Sequence, residues 1–156
     1  MRNTYSKKIE LAKKQNINIP NDLLKKENVV GLYKFFYVNP NNKNEDFCFY
    51  IGKSTNIARR LLKAQSGHIY SFLNNDFTRL VPSKIKEYLD KGYEIRVEIK
   101  EVDYYSDSFS SAAHKLALAE LQEIVKYQEI GQCLFQLPEG VGKYEKEFWN
   151  KYYRKS

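Results

Sequence analysis

The sequence predicts an α+β fold: a small three-stranded antiparallel sheet flanked by helices. Three observations predict it. Val29–Val38 and Phe47–Lys53 are aromatic, β-branched runs, and the turn-rich Asn39-Pro40-Asn41-Asn42-Lys43-Asn44-Glu45-Asp46 separates them, as in a β-hairpin. Tyr93–Val102 alternates apolar and charged residues at period two, which gives a third strand with one buried and one wet face. Helical patterns fill the remainder, the longest from about Ala112 to Gln128. The order β-β-α, short α, β, long α describes a layered α+β domain.

Taken in order, residues 1–28 form an N-terminal helical extension. Tyr5, Ile9 and Ala12 recur at helical spacing, so a lysine-rich helix is expected through about Gln15. Ile17-Asn18-Ile19 should be extended, because Pro20 excludes its predecessor from the helical region. The core spans 29–130. After the hairpin, Gly52 closes the second strand, and Ser54, Thr55 or Asn56 caps a helix that carries Arg59 and Arg60. Residues 65–81 show no clear period. Pro82 opens a short helix with Ile85, Tyr88 and Leu89 inward, and Gly92 ends it. The helix from Ala112 should be central, since Leu116, Ala117, Ala119, Leu121, Ile124 and Val125 cover much of its circumference. Residues 131–156 are a C-terminal extension lying on or beside the core, with a last helix from Tyr144 to Tyr153.

Composition narrows the function classes. At 156 residues with 42% apolar and 15% aromatic content, the chain can build one core without disulfide or metal staples. No window approaches the roughly 18 apolar residues of a membrane span. The N-terminal residues show no leader pattern, so a cytoplasmic protein with no membrane partner is expected. Cys48 and Cys133 read as reduced, buried thiols, and neither cysteines nor histidines have zinc-site spacing. The net charge of +7 favours a polyanionic partner, and thirteen tyrosines among the lysines suit nucleic acid.

The hairpin and the basic helix behind it carry a resemblance. Gly31-Leu32-Tyr33 followed by Tyr50-Ile51-Gly52 resembles the paired signature of the GIY-YIG nucleases, with leucine for the usual isoleucine. Arg60 lies ten residues after Tyr50, where that family keeps its arginine, and Glu120 lies on a long helix after the third strand, where it keeps a glutamate. The resemblance covers roughly residues 29–127. It implies hydrolysis of phosphodiester bonds in double-stranded DNA with Mg²⁺ (or Mn²⁺). Glu120 would be the metal ligand, Arg60 the phosphate-binding fork, Tyr33 the general base and Tyr50 the residue that aligns water or phosphate. These roles suit the chemistry: a phosphodiester resists attack unless cations stabilise its charge and a water is activated. Lys53 would either lower a tyrosine pKa or touch phosphate. Glu123 competes with Glu120 as the metal ligand. His68 lies eight residues after Arg60, and it is either near the scissile phosphate or a surface histidine. Arg59, Lys63, Lys84 and Lys86 are candidate DNA contacts, or a solvated helix face. Many family members follow the glutamate helix with a proline and then an asparagine that supports the site. Here Gln132 or Gln136 replaces the asparagine, or nothing does.

With no separate DNA-binding domain in view, the architecture looks most like the family's small stand-alone restriction endonucleases. A type II restriction enzyme is the leading expectation, with a homodimer as its candidate assembly. The alternatives are a structure-specific repair, phage or mobile-element nuclease, or a nucleic-acid-binding module without catalysis. The turn Asn39–Asp46 is expected to be a DNA-facing loop.

Overall fold

The computed structural model describes residues 2–26 and 28–155. Helix α1 (Arg2–Lys14) leads into a short strand β1 (Ile17–Asn18) and a 3-10 turn at Asn21–Leu24. Strands β2 (Gly31–Asn39) and β3 (Asn42–Ser54) follow, then helices α2 (Ile57–Leu62), α3 (His68–Leu73) and α4 (Leu80–Asp90). Strand β4 (Glu94–Glu101), the long helix α5 (Phe109–Gln128) and helix α6 (Lys143–Tyr152) complete the chain.

The α+β class holds, but the sheet is four-stranded and mixed, in the order β1-β4-β2-β3. The expected antiparallel trio is present, with β2 pairing both β3 and β4. The fourth strand comes from the N-terminal extension: β1 runs parallel to β4, with Ile17 opposite Ile95. Ile9, Ala12, Ile17, Ile19 and Leu23 are all buried in the main core, so the extension supplies part of that core. The extended conformation expected at Ile17–Asn18 is present, but two residues carry almost no periodicity, so the sequence does not reveal that they join the sheet.

The hairpin connection is tighter than expected. Strand pairing continues out to Asn39 opposite Asn42, so only Pro40 and Asn41 turn, and Asn42–Asp46 are strand instead of a DNA-facing loop. Asn39 drives this locally: its side-chain oxygen accepts from Asn41 N–H at 2.9 Å, an Asx turn, while its amide donates to Glu45 at 2.9 Å.

Each face of the sheet carries its own layer. Tyr33, Phe35 and Tyr37 of β2 alternate onto the face covered by α1–α4, while Phe36 and Val38 face α5 and the C-terminal segment. A bulge interrupts the hairpin register between Phe35 and Phe36, so Phe35 opposes Tyr50 while Phe36 opposes Cys48. The extra residue, Phe49, therefore shares a face with its neighbour Tyr50, although adjacent strand residues normally point to opposite faces. Cys48 and Ile51 point the other way, toward Cys133, Ile124 and Tyr127. Helix α5 is less central than expected: Ala112, Leu116 and Glu123 are buried, but Leu118, Leu121 and Val125 are exposed.

The candidate active site

Strand β3 is the edge of the sheet, and the candidate site wraps around that edge. A cleft of about 490 Å³ is lined by Tyr33, Tyr50, Gly52, Lys53, Arg60 and Glu120, with Gln136 and Glu139 on its C-terminal rim. A larger depression of about 640 Å³ lies elsewhere, beside Lys26, Glu101 and Tyr105. Its Lys26 and Glu101 are already paired at 2.9 Å, and it gathers no comparable set of reactive groups.

Gly52 decides how the tyrosines reach this edge. It sits directly opposite Tyr33 in the hairpin, and the Tyr33 ring lies across it. A Cβ at Gly52 would stand 2.3 Å from both Cζ and Oη of that ring, closer than any real contact. The missing side chain is therefore what gives the Tyr33 hydroxyl its place. Gly31 has a parallel reason on the other side of β2, where a Cβ would meet the Lys100 carbonyl oxygen at 2.1 Å. Tyr50 stacks on Tyr33 with ring centroids 6.2 Å apart.

Tyr33 is 2% exposed, and its hydroxyl lies 3.1 Å from His68 Nε2. Burial, then the neighbouring Tyr50, pushes its pKa well above the ordinary 10, although Arg60 pulls the other way. Burial also raises Tyr50, again opposed by Arg60. His68 is buried instead of lying on the surface, and its pKa is lowered to about 3 by burial, with Arg60 and Arg79 adding to the effect. The imidazole is thus neutral, and its buried Nδ1 has no hydrogen-bond partner among the described residues.

Arg60 is set by a well-formed helix start. The Asn56 side chain caps α2 by accepting from Arg59 N–H at 3.1 Å, so Asn56 and not Ser54 or Thr55 fills that role. Arg60 donates to the Ser66 carbonyl at 3.2 Å, and Arg79 donates to the same oxygen at 3.0 Å. Arg79 also donates to the buried Ser71 hydroxyl. This second guanidinium is missed by sequence reasoning, because it lies in the 65–81 stretch that shows no period.

The two glutamates separate cleanly. Glu120 lines the cleft, 18% exposed, with its Oε1 at 3.5 Å from Lys53 Nζ. Glu123, one turn further along α5, is 3% exposed against the sheet, at 2.7 Å from Lys100 and 3.6 Å from Lys34. Burial disfavours its charge, but the Lys100 hydrogen bond and the surrounding lysines outweigh this and hold its pKa down. Lys53 also reaches Glu139 at 3.3 Å. Burial opposes its charge, yet Glu120 and Glu139 hold the ammonium above its ordinary value.

The C-terminal segment completes the edge. Gln136 donates to the Ile51 carbonyl at 2.8 Å and accepts from Ile51 N–H at 2.8 Å, so its amide pairs with the edge strand as a neighbouring peptide would. Gln132 accepts from Cys48 N–H at 2.7 Å, and Cys133 N–H donates to Cys48 O at 3.2 Å. Both glutamines considered from the sequence thus brace the strand that bears Tyr50. Cys48 and Cys133 are free, buried thiols with their sulfurs 3.4 Å apart.

The candidate DNA contacts lie outside the cleft. Arg59 is exposed and lines a shallow hollow with Arg60 and Ser66, and Lys63 ends α2. Lys84 pairs with Glu87 at 3.8 Å, and Lys86 pairs with Asp90 at 3.0 Å, so both have carboxylate partners on their own helix. His114 is exposed, and its Nδ1 donates to the Ser110 carbonyl of its own helix at 2.7 Å. No described helix is long and apolar enough to cross a membrane. No known family, curated protein or solved structure matches the chain.

Proposed function

We propose that the chain is a divalent-metal-dependent DNA endonuclease of the GIY-YIG type. The observation that carries this reading is the meeting of Tyr33, Tyr50, Lys53, Arg60 and Glu120 in one cleft, from four separate elements. Such a set is what phosphodiester hydrolysis requires: a phosphate-binding fork, a hard oxygen donor and hydroxyls that can handle a water proton.

The donor set suits Mg²⁺ or Mn²⁺ at Glu120. Among the described residues no three His, Cys, Asp or Glu side chains form a closed cage. Mg²⁺ does not need one, since it keeps most of its waters and takes one or two carboxylates plus substrate phosphate. Bound there, the cation would supply charge neutralisation at the phosphate and a more acidic water. Lys53 must release Glu120 for this, and a phosphate in the cleft offers its ammonium a new partner.

The chain's own residues divide the remaining work. Arg60 can turn its fork from the Ser66 carbonyl to two phosphate oxygens, holding the ester and stabilising charge as it develops. Tyr33 rests as a phenol, so it serves as base only by passing on its own proton. His68 Nε2, 3.1 Å away, is the acceptor at hand. Burial, Arg60 and Arg79 keep His68 from holding a proton at rest. A phosphate bound in the cleft would neutralise Arg60, which raises the proton affinity of His68 when substrate arrives. Tyr50, on the open side of the cleft, aligns the water or the phosphate.

The finer reading is a type II restriction endonuclease in the cytoplasm, cutting double-stranded DNA at a short sequence. A repair, phage or mobile-element nuclease shares the chemistry, and a binding module would share only the surface. Plasmid cleavage with and without Mg²⁺ or Mn²⁺ tests the reading. Metal-dependent nicking or linearisation is expected, and DNA binding without any cleavage leaves only the binding module. Sequencing the cut ends then separates the finer readings: one short recurrent sequence at every cut marks restriction.

A further inference from the structure

Cys48 and Cys133 are the only cysteines in the chain, and no step of the proposed chemistry uses them. They lie 85 residues apart in the chain, yet their sulfurs stand 3.4 Å from each other and both side chains are buried. Buried thiols often serve as small apolar filler, but three observations separate this pair from filler. Cys133 N–H donates to the Cys48 carbonyl at 3.2 Å. One direct backbone hydrogen bond holds two residues at the separation that bridged cysteines need, roughly 4.4–6.8 Å between Cα atoms. Cys133 has φ +56°, a left-handed conformation that a residue with a side chain adopts only at a cost. Gln128 of α5 donates to the Cys133 carbonyl at 3.0 Å and holds it there. A cysteine is thus kept in a strained position with its sulfur against a second sulfur.

We infer that Cys48 and Cys133 form a reversible disulfide, a redox latch between the β3 edge and the C-terminal segment. In the reduced state the segment is fastened to β3 by the hydrogen bonds of Gln132, Gln136 and Cys133. Residues 129–142 have no helix or strand of their own, so this attachment can open locally. In the oxidised state the attachment carries a covalent bond at its centre, and the cleft rim from Gln136 to Glu139 stays in place with it. The latch stands independently of the nuclease reading.

The step balances with a peroxide as oxidant. The Cys133 thiolate attacks one peroxide oxygen, the O–O bond breaks, and a sulfenic acid and one water result. The Cys48 sulfur then attacks the Cys133 sulfur and loses its proton, the S–S bond forms, and a second water leaves. Two thiols are oxidised by two electrons in all, and the peroxide is reduced to two waters. Cys133 ionises first: a hydrogen bond from Cys48 holds its pKa below the ordinary value, burial opposes this and Lys34 adds to it. The same contact and burial push Cys48 up. Cys133 also lies just below the surface, since Gly131, Leu134 and Phe135 beside it are exposed. Side-chain rotation has only to close the sulfurs from 3.4 Å to about 2.05 Å.

The full chain, treated with hydrogen peroxide and then with dithiothreitol, tests the latch. Peroxide should remove two hydrogens from the mass of the single chain and leave no thiol open to alkylation after denaturation. Peptide mapping should join Cys48 to Cys133. The melting temperature should rise by about 5 °C or more, because a cross-link between residues so distant in the chain strongly restricts the unfolded state. Hydrogen exchange at the Cys48 and Ile51 amides, which the two glutamines hold, should slow about tenfold or more. Dithiothreitol should reverse every change. Cys48→Ala and Cys133→Ala, each compared with its own untreated form, should show neither the melting shift nor the slower exchange. Thiols that stay open to alkylation overturn the inference, as do oxygens added to Cys133 without a cross-link and a disulfide formed only between chains. A Cys48–Cys133 disulfide that leaves melting and exchange unchanged overturns it too.

Discussion

Acidification should destabilise the fold well above the range where carboxylates titrate, and His68 is the reason. In the unfolded chain an imidazole takes up a proton near 6.5, whereas in the fold His68 does so only near about 3. Between those values the unfolded state holds more protons than the folded one, so stability falls as pH falls. Each unit of separation is worth about 1.4 kcal/mol. The expected loss between about pH 7 and about pH 5 is therefore roughly 2 kcal/mol, a large share of the 5–15 kcal/mol typical of a domain. Carboxylates held low in the fold, such as Glu123, add their own losses only as pH drops toward their ordinary value of 4.5. Urea unfolding followed by far-ultraviolet circular dichroism measures the slope; Trp149 is too exposed to report on the core. His68→Gln keeps a hydrogen-bonding amide beside Tyr33 but removes the titration, so its stability should be nearly flat over the same window. A flat wild-type curve, or the same slope in the variant, refutes the buried neutral imidazole.

The other predictions concern the cleft. Arg60→Ala should lower the cleavage rate roughly hundredfold or more while DNA affinity changes little, because the lost donor acts mainly on charge in the transition state; single-turnover cleavage and a binding titration separate the two effects. Glu120→Gln should abolish metal-dependent cleavage with little change in stability, whereas Glu123→Gln should cost about 3 kcal/mol by stranding the buried Lys34. Chemical denaturation and cleavage assays on both variants check this, and the reverse pattern would move the metal to Glu123. Gly52→Ala should cost about 1–3 kcal/mol and lose cleavage out of proportion to that, since the added methyl takes the place of the Tyr33 hydroxyl; a thermal melt beside a cleavage assay would expose the opposite result.

Much of this arrangement was legible in the sequence, and the parts that were not have physical causes. The hairpin was readable from two aromatic, β-branched runs about a turn-rich stretch, β4 from its period-two alternation and α5 from its long apolar helical pattern. Strand β1 was half legible: Pro20 marks its residues as extended, but two residues cannot show a period and their pairing is decided by β4. The burial of His68 also had no local signal. Gly67 lets α3 turn in closely, with Leu61 O only 2.4 Å from where its Cβ would be, and that approach is tertiary. Arg79 was hidden for the same reason, because its partners Ser66 and Ser71 belong to a stretch without periodicity. Glu120 was separable from Glu123 only through its neighbours: three residues apart on one helix, one faces the cleft and the other meets the lysines of β2 and β4.

The placement of the candidate site on an edge strand has a consequence for how it is held. Tyr33 stands on the central strand β2, and it shares a cleft with Glu120 because its ring lies across Gly52 toward the β3 edge. At the β3 edge the two faces meet, but an edge offers unpaired backbone groups that leave the strand prone to fraying or to pairing with another chain. Here the C-terminal segment answers that need with two glutamine side chains and one backbone N–H instead of a fifth strand. Gln136 satisfies both the N–H and C=O of Ile51, Gln132 takes the N–H of Cys48, and Cys133 takes its C=O. Each bond falls on a residue whose side chain points toward α5, and none falls on Tyr50, Gly52 or Lys53, which line the cleft. A true neighbouring strand would have closed the cleft by continuing past Gly52 and Lys53. Two glutamines fasten the strand at Cys48 and Ile51 and leave the residues beyond them free to meet a substrate.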